Sequence, residues 1–269
     1  MSLSSGSTDT VDLRFNKAFG ALRVTINDEI DLMELTKLVV EIPGSNVPRR
    51  LSLEGAELEM LPVICALGAE SAHHANTASS FPMDYGTTVA PTVNATYFDI
   101  PVGNVAGGQP IRVTIGYTQL GTPVGGASIE LEFTALEDRT NRNLMFTVDY
   151  LGQATRLDKK FRSDASAKAV IVTEVTGATD FTPTARDFNI TEINYDGLPE
   201  FTYDNTRALL PDLDEVIWGS TDGTNPGRDF YSHECYFLGA PTGVSQINIE
   251  SGSSAHIVLL TVYSVGGGQ

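Results

Sequence analysis

Val40-Glu41-Ile42-Pro43-Gly44 and Thr173-Glu174-Val175-Thr176-Gly177 share one shape: a strand end closed by a turn. Each follows a β-branched or leucine run, Leu38-Val39 in the first case and Val170-Ile171-Val172 in the second. Each ends on a glycine, the residue that lets a backbone turn with positive φ. The two glycines stand 133 residues apart. A five-residue echo acquires meaning only if its surroundings repeat as well.

They repeat in order, with offsets that drift. Leu13-Arg14-Phe15 is answered by Leu144-Met145-Phe146, Phe19 by Tyr150, Gly20 by Gly152 and Arg23 by Arg156. Met60-Leu61-Pro62 is answered by Leu209-Leu210-Pro211, Tyr97-Phe98 by Tyr236-Phe237, and Ser128-Ile129 by His256-Ile257. Loop insertions between two copies of one domain produce this pattern. The 269 residues therefore read as a short arm at 1–10, one domain at 11–140 and a second at 141–269. Each half is large enough to bury its own core.

Between turn segments the chain reads as strands. Leu22, Val24 and Ile26 alternate with Arg23, Thr25 and Asn27. Ile111, Val113, Ile115 and Tyr117 share a face, as do Ile129, Leu131 and Phe133 opposite Glu130, Glu132 and Thr134. In the second half Leu144, Phe146, Val148 and Tyr150 alternate with Met145, Thr147 and Asp149, and further strands are expected at 169–175, 188–195, 235–238, 244–249 and 255–263. A short helix is expected before Pro62 and another from an Asp204 N-cap toward Leu210. Residues 68–96 lack periodicity and read as a long loop. Residues 1–10, rich in Ser, Thr and Gly, read as a mobile arm.

The closing strand is unusual. Ile257 and Leu259 lie on one face, while Val258, Leu260 and Val262 lie on the other. A strand apolar on both sides is covered twice. The second cover is either the first half or a neighbouring subunit, and an interface is the favoured reading.

Composition excludes several functions. The hydrophobic share is 41% and the mean hydropathy is near zero, as in a globular protein. There is no apolar run of 18 residues and no secretory leader pattern at the start, so folding in a cytoplasm is expected and the sequons at Asn94 and Asn189 carry little weight. A formal net charge of −17 argues against direct nucleic-acid binding. Arg139, Arg142, Arg156, Lys159, Lys160, Arg162 and Lys168 cluster at the junction of the halves, which reads as a solvated connection, or more sharply as a contact with an acidic neighbour or lipid head groups.

Catalytic chemistry is thin. No catalytic residue and no cofactor site is assigned, and no metal site can be named. The two cysteines, Cys65 and Cys235, form no zinc or redox spacing. His73-His74 reads as a surface pair, and His233-Glu234 lacks partners for a metal. Two tandem β-barrels raise the bicupin metal enzymes, but neither half carries their histidines one residue apart on a strand. Asp196, Asp204, Asn205, Asp212, Asp214, Asp222 and Asn225 are the oxygen-rich positions that could take Ca²⁺; no spacing matches a known loop, so turn and capping duty is expected.

In this arrangement the chain resembles the double jelly-roll major capsid proteins of tailless icosahedral viruses with an internal membrane, corticovirus and tectivirus phages among them. The resemblance rests on Val39 to Gly44 with Val172 to Gly177, the Leu-Pro segments at 60–62 and 209–211, and the closing strands at 127–135 and 254–263. The large tower loops common in bigger members have no counterpart here. The resemblance implies an all-β fold of two tandem eight-stranded jelly-roll barrels, each with a short helix. It also implies a homotrimer whose six barrels make a pseudo-hexagonal tile of a virion shell, in contact with neighbouring capsomers and with minor capsid proteins or the membrane beneath. An acidic surface would suit cation-bridged contacts between tiles. The competing reading is a tandem β-sandwich that binds carbohydrate or protein, with Tyr85, Tyr97, Tyr203 and Trp218 lining a groove.

Overall fold

The computed structural model describes residues 1–31, 34–61, 64, 83–84, 92–119, 126–136, 143–174, 190–196, 198–202, 235–239 and 245–265. Nine strands occupy the first half: β1 Ser2–Ser4, β2 Ser7–Arg14, β3 Phe19–Asp31, β4 Leu35–Glu41, β5 Arg49–Glu54, β6 Met83–Asp84, β7 Thr92–Val105, β8 Pro110–Tyr117 and β9 Ser128–Leu136. Six follow: β10 Asn143–Lys160, β11 Ser166–Glu174, β12 Ile190–Tyr195, β13 Leu198–Thr202, β14 Cys235–Gly239 and β15 Gln246–Val265.

The first half makes two antiparallel sheets, β1-β9-β3-β7-β6 and β2-β8-β4-β5. Leaving out the two-residue β6, the eight strands taken in chain order occupy places one, eight, three and six in one sheet, and two, seven, four and five in the other. That order is a jelly roll.

The second half repeats it with longer strands. The start of β10 pairs the end of β15, which pairs β11, which pairs β14. The end of β10 pairs the start of β15, which pairs β12, which pairs β13. The counterparts of the first barrel's β1 and β2 are thus continuous in β10, and those of β8 and β9 in β15. The register breaks at Tyr150/Gly152 and Ala154/Arg156, where the paired strands pass from one sheet to the other. Gly152 holds φ +75 at this corner, and Gly6 holds φ +79 between β1 and β2. The two tandem eight-stranded barrels expected from the sequence are present.

Several details differ from the sequence reading. Residues 1–10 are not an arm: Ser2–Ser4 pair with Ser128–Glu130, and Ser7–Arg14 pair with Pro110–Tyr117. Serine and threonine satisfy a strand as readily as a loop once a partner edge exists, and Leu3 is 1% exposed in the core. The opening echo also aligns unlike strands. Val40 lies in β4, fourth of its barrel's eight, whereas Thr173 lies in β11, third of its own; Leu13 and Leu144 are likewise in second and first strands. The Ser128-Ile129 and His256-Ile257 match does join equivalent strands. The Tyr97 match is one residue out: Glu132 pairs Thr25, which pairs Tyr97, and Leu260 pairs Ile171, which pairs Phe237 rather than Tyr236. The strands expected at 244–249 and 255–263 are one continuous strand, and residues 83–84 and 92–96 of the expected loop are β-structure. The helix before Pro62 is a 3₁₀ turn at Gly55–Met60, and the segment expected near 204–210 lies outside the described residues.

The second cover of β15 comes from the same chain. One apolar cluster joins Val24, Leu51, Leu58 and Phe98 of the first barrel to Phe146, Ile171, Val258, Leu260 and Val262 of the second. The opposite face of β15, Ile257 and Leu259, fills the second barrel with Leu157, Val170, Val172 and Ile249. β5 and β7, which flank the opening between the first barrel's sheets, abut β10. The second barrel's outer sheet face therefore closes the flank of the first. Val47, in the turn after β4, adds a smaller contact with Met145, Ala167 and Tyr263. Expecting a subunit interface here missed that one barrel could supply the cover itself.

Candidate functional site

Among the described residues no group of three or more His, Cys, Asp or Glu side chains could hold a metal ion, and no helix is long and apolar enough to cross a membrane. Of the residues considered for chemistry, His256 is half-buried with its Nδ1 2.6 Å from the Tyr150 hydroxyl. Asp196 occupies the β12–β13 turn with φ 52 and accepts hydrogen bonds from the Ser245 backbone N–H and hydroxyl; the latter at 2.6 Å. These bonds, led by the hydroxyl, hold its carboxyl below the usual range. Its role is the turn duty expected from the sequence. Cys235 begins β14. His73, His74, His233, Cys65, Asp204, Asn205, Asp212, Asp214, Asp222, Asn225, Tyr85, Tyr203 and Trp218 lie outside the described residues.

Three basic residues of the cluster are paired with acids. Arg156 pairs with Asp158 and Glu250, Lys159 with Asp149, and Arg162 with Asp164. Lys160 and Lys168 are not buried, and Arg139 and Arg142 lie outside the described residues.

What the structure does present is two outer sheet faces at equivalent places with opposite chemistry. Aligned on Ser128-Ile129 and His256-Ile257, the first barrel's Glu130, Glu132 and Thr134 stand where the second has Val258, Leu260 and Val262. In the adjacent strand Thr25 and Arg23 correspond by register to Ile171 and Ala169. One face is solvated, with Glu130 and Glu132 exposed; the other is sealed, with Val258, Leu260 and Val262 at 0%, 1% and 8% exposure. Burying three such side chains contributes several kcal/mol, roughly 2 each at about 25 cal/mol per Å².

The solvated face is internally ordered. The Arg23 guanidinium forks onto Asp99 with Nε 2.7 Å from Oδ1 and Nη2 2.8 Å from Oδ2, and it lies 4.2 Å over the Tyr97 ring. Arg23 and Asp99 are cross-strand partners, so the pair stiffens β3 against β7. The Asp99 bond, chiefly, pushes the Arg23 guanidinium up. Beside it, a groove of about 390 Å³ is lined by Met1, Ser2, Thr25, Asn27, Glu130, Leu131 and Glu132. Met1 extends the β1 ladder: its ammonium donates to the Leu131 carbonyl at 2.9 Å, and its carbonyl accepts the Leu131 N–H at 2.7 Å.

The first barrel's other sheet carries a row of alternating charge across all four strands. Asp12 of β2 faces Arg112 of β8, which faces Glu41 of β4, which faces Arg49 of β5. Arg112 Nε lies 2.8 Å from Asp12 Oδ1, and Arg49 Nη2 lies 3.2 Å from Glu41 Oε1. The Arg112 hydrogen bond holds the Asp12 carboxyl below the usual carboxylate range. Such a row fixes strand register while keeping the face hydrated.

In β5, Arg50 is 2% exposed, and among the described residues only its Nη2 is bonded, to Ser45 Oγ at 2.7 Å. Among the described residues its Nε and Nη1 have no partner, and burial pulls its pKa down. Nearby in chain, Glu57 of the 3₁₀ turn accepts the Glu54 N–H at 3.1 Å. Burial pushes its carboxyl up, the Glu54 N–H opposes that, and the charges of Glu54 and Asp149 add to it. Sequence reading assigned no role to Arg50 or Glu57; an arginine directly before the Leu51-Ser52-Leu53 alternation was the available signal.

No protein-family model and no curated protein matches the chain. Among solved structures it is similar to the crystal structure of the STIV MCP, with a TM-score of 0.60 and 11% identity over 98% of this chain and 93% of that one. It is also similar to the major capsid protein P2 from bacteriophage PM2, with a TM-score of 0.52 and 9% identity over 97% of this chain and 93% of that one. The likeness spans both barrels and their connection.

Proposed function

We propose that this double jelly roll is a structural capsid subunit that assembles into trimers, each presenting six barrels as a pseudo-hexagonal tile of a virion shell. The observation that carries the reading is the fixed placement of two like barrels in one chain, locked by the buried face of β15. The full-length likeness to the STIV MCP and to the PM2 major capsid protein supports it. The features used for chemistry elsewhere serve shape here: Asp196 caps a turn, and Arg156 and Arg162 pair with neighbouring acids. A role without catalysis follows from that reading, with function residing in lateral surfaces.

The test is the solution mass of the purified chain by light scattering and native mass spectrometry, at moderate and at low Ca²⁺, followed by electron microscopy of concentrated samples. A trimer that packs into hexagonal sheets or shells is expected. A chain that stays monomeric in every condition and binds glycans would sink the proposal.

A further inference from the structure

We infer that the open edge of β9 from Glu132 to Leu136 is a docking site for an extended segment of another polypeptide, one that alternates basic and apolar side chains and joins the sheet as a strand in line with β1. The two barrels differ at this edge. In the second, β10 runs beside β15 throughout, with Val148 opposite Leu260 and Leu144 opposite Ser264. In the first, β1 covers Ser128–Glu130 and Met1 adds Leu131, and among the described residues nothing pairs Glu132 to Leu136 on that side. Leu131 directs both its N–H and its carbonyl to Met1, and backbone groups along an antiparallel strand alternate in direction. Phe133 and Ala135 therefore each aim an N–H and a carbonyl into the gap. Burial falls where the cover ends. Ile129 and Leu131 are buried and Phe133 and Ala135 only half so, whereas Thr261 and Tyr263, at the corresponding places beside β10, are sealed.

Nothing in β9 blunts this edge. Its register with β3 is unbroken from Leu131 to Leu136 and the stretch holds no proline, so the row of backbone groups is a straight template for strand addition. The side chains select the occupant. Glu130 and Glu132 are exposed on the outer face, and the nearby Arg23 is held by Asp99, which leaves both carboxylates for a cation from outside. The groove of about 390 Å³ lined by the two glutamates also reaches Met1, where the added strand ends. On the inner side Phe133 and Ala135 pack against the core and offer it an apolar continuation. A fitting strand therefore carries lysine or arginine outward and valine, isoleucine or leucine inward, the cross-strand complement of this edge. The edge lies within a single barrel, so its use does not require the trimer of the reading above.

The experiment titrates the full chain with a fluorescent peptide of alternating lysine and valine, and with one of alternating lysine and serine as a control of equal charge, by fluorescence anisotropy. The lysine–valine peptide is expected to bind, and the lysine–serine peptide to bind at least tenfold more weakly. Glu132→Lys, which inverts the charge, and Ala135→Pro, which removes an amide aimed into the gap, are each expected to weaken the first peptide at least tenfold. Proline is tolerated on an edge strand, and Asp9→Lys on exposed β2, the charge control, should bind like the parent. Amide hydrogen exchange, read residue by residue by NMR, should slow at Phe133 and Ala135 on binding and stay unchanged at Glu132 and Thr134, whose amides face β3. No binding at millimolar lysine–valine peptide, equal affinity for the two peptides, or unchanged affinity in both edge variants overturns the site and leaves the capsid reading standing. Should Ala135→Pro fail to fold, the exchange pattern of the parent decides, and protection that misses Phe133 and Ala135 overturns the site as well.

Discussion

Glu132 and Leu260 stand at the same place in their two barrels, each on an interior strand of its sheet and each paired with the strand third in chain order, at Thr25 and Ile171 respectively. Glu132 is exposed and Leu260 is 1% exposed. Their substitutions should therefore differ sharply. Leu260→Ala is expected to lower unfolding stability by about 2–5 kcal/mol, the usual range for emptying a packed site, while Glu132→Ala should stay within about 0.5 kcal/mol. Urea denaturation measures both. Because Leu260 lies in the apolar cluster shared by the barrels, its loss should shift one common transition rather than split off the second barrel.

Gly152 turns the corner of β10 with positive φ. Gly152→Ala should cost about 1–2 kcal/mol, since a Cβ disfavours that backbone region, and Gly152→Asn should cost less. Thermal unfolding of the two variants side by side gives the comparison; equal stability of Ala and parent would contradict the corner geometry.

Glu57 predicts a pH dependence of defined sign. Its folded pKa lies above the unfolded value, chiefly through burial, so folding favours the protonated acid. That contribution is complete below the unfolded pKa and is lost as pH rises through the folded one. Glu57→Gln keeps an acceptor for the Glu54 N–H and removes the charge. It is expected to stabilise the protein at pH 7 by on the order of 0.5 kcal/mol, discounted for its partial exposure, with the advantage fading below the carboxylate range. Stability curves for parent and variant at several pH values should converge on the acid side.

Arg50 is a buried cation with two of its nitrogens unsatisfied among the described residues. Replacing it with an apolar side chain of similar length removes that penalty, so Arg50→Met is expected to raise stability by about 1–3 kcal/mol. A loss of stability in a denaturant melt would show that the guanidinium is better satisfied than its geometry indicates.

How far the sequence could be read depends on which physical signal each segment carried. Strands with one wet face were plain: Leu22, Val24 and Ile26, or Ile111, Val113 and Ile115, alternate because only one side meets the core. The doubly apolar β15 correctly announced a second cover, but composition cannot say whether the covering surface belongs to the same chain. The duplication emerged even though its first motif aligned unlike strands, since buried strands draw on the same few side chains. The Tyr97 match slipped by a single residue, enough to exchange the two sides of a sheet. Arg50 and Glu57 were illegible because charged side chains read as exposed, whereas tertiary packing buries Arg50 and half-buries Glu57. Residues 1–10 were misread for the related reason that a strand's partner can lie far off: Leu3 pairs with Ile129.

That last pairing has a consequence for biosynthesis. The opening strand must wait for Ser128–Glu130 to leave the ribosome, and the apolar flank of the finished first barrel must wait again, until Val258, Leu260 and Val262 have been translated. Through that second interval a nascent polypeptide carries a greasy opening with nothing to shield it, which makes the codons of β15 the ones that close it and makes products cut short before them the natural clients of a chaperone.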